Sequence, residues 1–151
     1  MFIESTIHIH KSILEMLNKS AQISGKTRTF IIKLLMQRVM SNSQKLLKSS
    51  SRVRYQERDA KENWCRLHII MNEYEYEYYF DMRKFYKMSV SLILAYAVRK
   101  YLDEIVNKLL DRNNSTDKYF YKGYIFMKET LDGVTCWKTY WGIPLKLPTM
   151  I

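Results

Sequence analysis

The chain has 151 residues, enough for one modest core or for two small units that lean on each other. A formal charge of +10 and a pI near 9.6 favour a polyanionic partner, since clustered Lys and Arg raise the local potential and release counterions from phosphate. The longest apolar run, Leu92 to Val98, is far too short to span a bilayer, and Glu4 interrupts the stretch a signal peptide would need, so no membrane partner is expected.

From the N-terminus, Ile3, Ser5, Ile7 and Ile9 alternate with Glu4, Thr6, His8 and His10. Period two predicts a strand with the isoleucines on one face and Thr6 and His8 on the other. Residues from about Lys11 to Ser24 read as a helix whose stripe carries Ile13, Leu14, Leu17 and Ala21. Gly25 suits a helix C-cap because it tolerates a positive φ. Thr27 or Thr29 can cap the next helix, on which Phe30, Ile31, Leu34, Leu35 and Val39 form a broad apolar face.

The segment from Ser41 to Asn63 is polar, Ser-rich and basic, with Lys45, Lys48, Arg52, Arg54, Arg58 and Lys61. Its start can extend the preceding helix, and its middle reads as a flexible tether. The pattern then begins again. Leu67, Ile69 and Met71 alternate with Arg66, His68 and Ile70, and Asn72 with Glu75 loosely resembles a capping box. A helix rich in Tyr and acid covers roughly Glu73 to Tyr86 and precedes Ser89 and Ser91. The last helix, through Leu92, Ile93, Tyr96, Ala97, Leu102, Ile105 and Leu109, is apolar on nearly every side at its start and is expected to be the central core element. After Arg112 the run Asn113 to Asp117 breaks that helix. Tyr119 to Lys128 and Val134 to Trp141 then read as two strands about an Asp132-Gly133 turn, forming an aromatic hairpin expected to pack on the helices.

Shifted by 62 residues, the first copy falls on the second in pattern, with few identities such as Ile7/Ile69, Glu15/Glu77 and Ile31/Ile93. Arg83 falls where the first copy has Ala21, which leaves room for a one-residue slip. The resulting division is a first unit at 1–40, a basic linker at 41–63, a second unit at 64–112 and the hairpin with its tail at 113–151. The expected class is α+β, mainly helical, with two strand-helix-helix units pairing through an antiparallel β-ribbon.

Two stretches carry a family resemblance: Ser5-Thr6-Ile7-His8-Ile9 with Gly25 to Ile31, and Arg66-Leu67-His68-Ile69 with Ser89 to Ile93. Over roughly 35 to 40 residues per copy the chain resembles the ribbon-helix-helix family, most closely its CopG-like branch. The resemblance implies a paired ribbon that enters the major groove of double-stranded DNA, with Thr6, His8, Arg66 and His68 as base readers. It also implies phosphate contacts from Lys26, Thr27, Arg28 and Ser89 around the starts of the second helices, and Arg52 and Arg54 join them as basic residues of the linker. Tandem copies are known in the family, and they imply either an intramolecular pseudo-dimer or pairing in trans in a homodimer; pairing in cis gains from a high effective concentration. Glu4 departs from the pattern, because it repels phosphate unless it accepts from a cytosine amine, and Ile70 is a poor polar reader.

His8-Ile9-His10 matches the His-hydrophobe-His pattern of single-strand nicking nucleases, with Tyr74, Tyr76, Tyr78 and Tyr79 as candidate nucleophiles. However, any alternating strand sets two residues two apart on one face, and the ligand set lacks an evident third member beyond Glu4. No triad, Gly-rich phosphate loop or zinc spacing occurs, and Cys65 and Cys136 read as a reduced thiol pair in the cytoplasm. The expectation is therefore a transcriptional regulator with no enzymatic activity, metal or cofactor. The alternative is an interaction module, an antitoxin or a plasmid-transfer accessory, whose ribbon mainly dimerises. A protein partner would then sit on the Tyr-rich helix or the aromatic hairpin.

Overall fold

The computed structural model describes residues 1–41, 52–111 and 124–141, the last with side chains for 129–136. The chain is α+β and mostly helical. Its described elements are β1 (Phe2–His10), α1 (Lys11–Ser24), α2 (Arg28–Ser41), a short 3-10 turn (Lys61–Asn63), β2 (Trp64–Asn72), α3 (Glu73–Tyr86), α4 (Val90–Leu110), β3 (Tyr124–Leu131) and β4 (Val134–Trp141). Two compact units divide it, Met1–Asn114 and Ser115–Ile151.

In the first unit β1 and β2 pair antiparallel within the one chain, from Phe2 opposite Asn72 to His10 opposite Trp64. Alternation decides which face is buried. Ile9, Leu67, Ile69 and Met71 face the helices, whereas Phe2, Glu4, Thr6, His8, Arg66, His68 and Ile70 are exposed. Beneath the ribbon α2 and α4 pack as the central helix pair, flanked by α1 and α3. Their core includes Ile31, Leu35, Met36, Ile93, Leu94, Ala97 and Val98, all buried. Each of these side chains except Ala97 contributes about 1.5–3 kcal/mol of burial.

The two halves share one backbone plan. Moving every boundary of β1 and α1 by 62 residues gives those of β2 and α3, and the start of α2 moves onto the start of α4. The turns match as well: Gly25 (φ 69°) and Lys87 (φ 53°) both take the left-handed conformation that closes the first helix of each half. Thr27 Oγ1 accepts from the Phe30 N–H, and Ser89 Oγ accepts from the Leu92 N–H, so each second helix starts with the same side-chain cap. His10 and Asn72 cap the first helices, the latter in a full capping box with Glu75.

Constant boundaries mean that there is no one-residue slip at Arg83. The slip rests on taking Ala21 as a core position; α1 buries Ile13 and Leu17 as expected, but its third buried residue is Ser20. Leu14 and Ala21 are only half-buried. Spacings of three and four residues both keep a helix on one face, so the sequence alone left this stripe ambiguous.

Two further expectations change. Beyond its middle the linker is docked, because Arg54 forms a parallel bridge beside Met88: its N–H donates to Lys87 O and its carbonyl accepts from the Ser89 N–H, both at 2.8 Å. The Tyr-rich helix is largely structural. Tyr78, Tyr79 and Tyr86 are buried, Tyr78 OH donates to Met36 O and Tyr86 OH to Val39 O, each at 3.2 Å, which ties α3 to α2. Paired hydroxyls are what allow tyrosine to sit in a core.

The second unit holds the expected hairpin. Leu131 pairs with Val134 across Asp132 and Gly133, both with positive φ, as a tight two-residue turn requires. The side chains of Tyr124, Phe126, Trp137, Tyr140 and Trp141, the helix break after Arg112, the middle of the linker and the C-terminal tail lie outside the described residues.

Candidate nucleic-acid interface

The exposed face of the ribbon is built by alternation and register together. Because Thr6 pairs with His68, its own counterpart under the 62-residue shift, the pseudo-dyad that relates the halves passes through this pair. On one side lies His8 opposite Arg66, and on the other Glu4 opposite Ile70. The four residues expected to read bases are thus brought onto two adjacent rungs, all exposed. Thr6 Oγ1 and a Glu4 carboxylate oxygen each lie 3.1 Å from His68 Nδ1. Glu4 therefore already has a partner within the ribbon, and part of its charge is answered by His68 whenever that imidazole is protonated.

The rungs differ in character. His8 and Arg66 give one end cationic and hydrogen-bonding groups, extended by His10 and Trp64, whose rings meet edge to face, and by Arg58, whose guanidinium lies 5.7 Å from the Trp64 ring. Asp59 accepts from Trp64 Nε1 at 2.7 Å, and that bond above all holds its carboxyl below the usual range. The opposite end sets exposed Glu4 beside two exposed apolar side chains, Phe2 and Ile70, 81% and 58% exposed. Arg58 was counted in the sequence only as linker charge. Its place beside the ribbon follows from the docking of Arg54, which no side-chain periodicity signals.

The expected phosphate contacts separate into two sets. Lys26, Thr27 and Arg28 are exposed at the start of α2, with Arg28 Nη1 donating to Asn18 Oδ1 at 3.1 Å and Lys26 Nζ over the Phe30 ring. At the start of α4 the situation differs. The Ser89 N–H is engaged by the Arg54 carbonyl, and the Arg54 guanidinium is half-buried and donates to Tyr86 O. Arg52 is exposed.

Among the described residues no group of three His, Cys, Asp or Glu is arranged to hold a metal. His8 projects from the ribbon opposite Arg66, while His10 Nδ1 faces the first turn of α1 and accepts from the Ser12 N–H. Of the two imidazoles of the His-Ile-His stretch, His10 is thus engaged at the start of α1. Cys65 and Cys136 are free thiols, and no described helix is long and apolar enough to cross a membrane.

Comparison with protein-family models, with curated proteins and with solved structures finds no match to this chain.

Proposed function

We propose that the chain is a non-enzymatic regulator of transcription that binds duplex DNA in the manner of ribbon-helix-helix proteins, with its own second copy as dimerisation partner. The single observation that carries this reading is the exposed pair of rungs Thr6/His68 and His8/Arg66 at the centre of an intrachain antiparallel ribbon. A two-stranded ribbon fits the major groove, where Arg meets the paired acceptors of guanine and Thr the methyl of thymine. The net charge of +10 supplies a sequence-independent attraction to phosphate. Lys26, Thr27, Arg28 and Arg52 are the residues available for backbone contacts, and the two halves would grip the duplex unequally. Since the rungs on either side of the dyad differ, the preferred site is asymmetric rather than palindromic.

One observation favours the alternative of an interaction module. Phe2, Ile70 and Tyr74 are exposed large apolar side chains, which suits a protein contact better than a groove of DNA at that end. Titration of duplexes at two salt concentrations separates the readings. DNA reading predicts a steep salt slope, a preferred sequence, and a loss of about 1–3 kcal/mol of discrimination for Arg66→Ala or for Thr6→Ala with His8→Ala. Lys26→Ala or Arg52→Ala should instead weaken all sequences alike. Strand variants that bind every duplex as wild type does would exclude a reading role for the ribbon.

A further inference from the structure

The two halves differ beneath the ribbon at one position that controls volume. The 62-residue shift maps Ser5 onto Leu67, Met71 onto Ile9 and Tyr79 onto Leu17. On the α1 side of the ribbon all three positions are filled by buried aliphatic side chains, with Leu67 of β2 3% exposed and Ile9 and Leu17 at 0%. On the α3 side Ser5 of β1 stands where Leu67 would be, beside Met71 and Tyr79, and an open groove of about 360 Å³ runs there between ribbon and helices.

The lining of this groove has two chemistries. Ile69, Met71 and Tyr79 are buried and form an apolar floor. Burial pushes the Tyr79 hydroxyl well above its ordinary range, with Glu75 adding to the shift, so the floor stays uncharged. The rim carries Arg58 and Arg83, with Arg83 Nη2 donating to the Tyr55 hydroxyl at 3.2 Å and the Ser89 and Ser91 hydroxyls beside them. Among the described residues neither arginine has a carboxylate within ion-pairing distance, although acids are plentiful on α3. Tyr76 and Phe80, stacked with centroids 6.2 Å apart and both partly exposed, add a flat aromatic wall.

We propose that this groove is a binding site for a small planar aromatic anion, its ring on the apolar floor and its acidic group between Arg58 and Arg83. Such sites combine a mainly apolar body with a few placed polar groups, and a guanidinium pair suits a carboxylate, sulfonate or phosphate. Among the described residues the site lies on the α3 side alone, because Leu67 occupies the matching space on the α1 side. Thr6 and His8 also border the groove, so an occupant would sit directly behind the exposed rungs. The proposal stands apart from the DNA reading and is tested without DNA.

The probe is 8-anilinonaphthalene-1-sulfonate, titrated into the full chain and followed by fluorescence and calorimetry. The expected result is saturable binding of one probe per chain, with its uncharged analogue N-phenyl-1-naphthylamine binding roughly tenfold or more weakly, about what one lost charge-assisted hydrogen bond costs. Ser5→Leu, which installs the counterpart side chain, should abolish binding while the melting transition is retained. Arg58→Gln with Arg83→Gln, both at the rim, should weaken the sulfonate probe about tenfold and leave the neutral analogue unchanged, and this pair decides the matter if Ser5→Leu does not fold. No saturable binding by wild type, equal binding of both probes, or undiminished binding by the arginine double variant would each overturn the proposal.

Discussion

The two halves of Met1–Asn114 follow one backbone plan with two sets of side chains. Strand limits, the first helices and the starts of the second helices coincide under the shift, yet Gly25 has Lys87 as its counterpart, His10 has Asn72 and Ser5 has Leu67. The plan is held by a few positions where backbone chemistry is demanding: a side-chain acceptor at each helix start, a left-handed residue between the helices and alternation in each strand. Elsewhere the halves are free to diverge. One half leaves the start of its second helix uncrossed by any described strand and fills the space under the ribbon; the other docks Arg54 over its helix start and opens a groove.

The strongest way to break this comparison is to charge the shared core. Ile31 and Ile93 are counterparts, both 0% exposed, on the central helices. Ile31→Asp and Ile93→Asp should each unfold the unit, since an unpaired buried charge costs several kcal/mol. Circular dichroism should show loss of the cooperative transition in both variants. If one variant melts as wild type does, the halves do not share a core.

The turn between the helices sharpens the comparison. Gly25→Lys gives the first half the residue of the second; the space around a Cβ there is open, so the cost is the left-handed conformation alone, about 1–2 kcal/mol. Lys87→Gly relieves the same strain, offset by the greater chain entropy of glycine, and should change stability by less than the first substitution. Urea midpoints at constant m-value would show whether the two responses have this order. Smaller still is Tyr86→Phe, which leaves the Val39 carbonyl without its hydroxyl donor and should cost about 1 kcal/mol by thermal melting; the counterpart, Ser24, has no such bond to lose among those described.

Much of this plan was legible because it is written in side chains. The alternation from Ile3 to Ile9 and from Leu67 to Met71 gave both strands and their buried faces, and Gly25, Thr27, Asn72 and Ser89 marked the helix ends. What the sequence did not reveal depends on contacts without a side-chain signature. Arg54 docks through its own N–H and carbonyl, groups every residue has, so a basic segment without periodicity read as a tether. The stripe of α1 is right at Ile13 and Leu17 and differs at its end, because Ser20, a polar residue, occupies a buried position that Ala21 suits better by composition. Thr6, His8, Arg66 and His68 could be chosen by alternation, but their adjacency depends on the register, which fixes Thr6 opposite His68. The shift of 62 pairs Ser5 with Leu67 in the sequence, but the groove depends on the register and packing that bring Ser5 together with Met71 and Tyr79 of the other copy.

The smallest effect concerns the link between the central helices. Arg38 Nε donates to both Glu104 oxygens at 3.1 and 3.3 Å, and Lys108 Nζ lies 2.8 Å away. Lys108, then Arg38, holds the Glu104 carboxyl below its ordinary value of 4.5. A carboxylate that is more acidic when folded adds stability above the unfolded value and loses it as pH falls, so this contribution fades below about pH 4.5. Glu104→Gln should flatten that part of the stability–pH curve slightly, the pair being partly solvent-exposed. An acid limb identical to wild type would show that the link adds nothing.

The central claim is that the dyad-centred rungs face DNA. Amide and side-chain chemical shifts recorded as a preferred duplex is added test it directly. The largest changes are expected at Thr6, His8, Arg66 and His68, smaller ones at Lys26, Thr27 and Arg28, and little at the buried face of α3. Changes concentrated at Phe2, Ile70 and Tyr74, or absent from the ribbon at saturation, would contradict it.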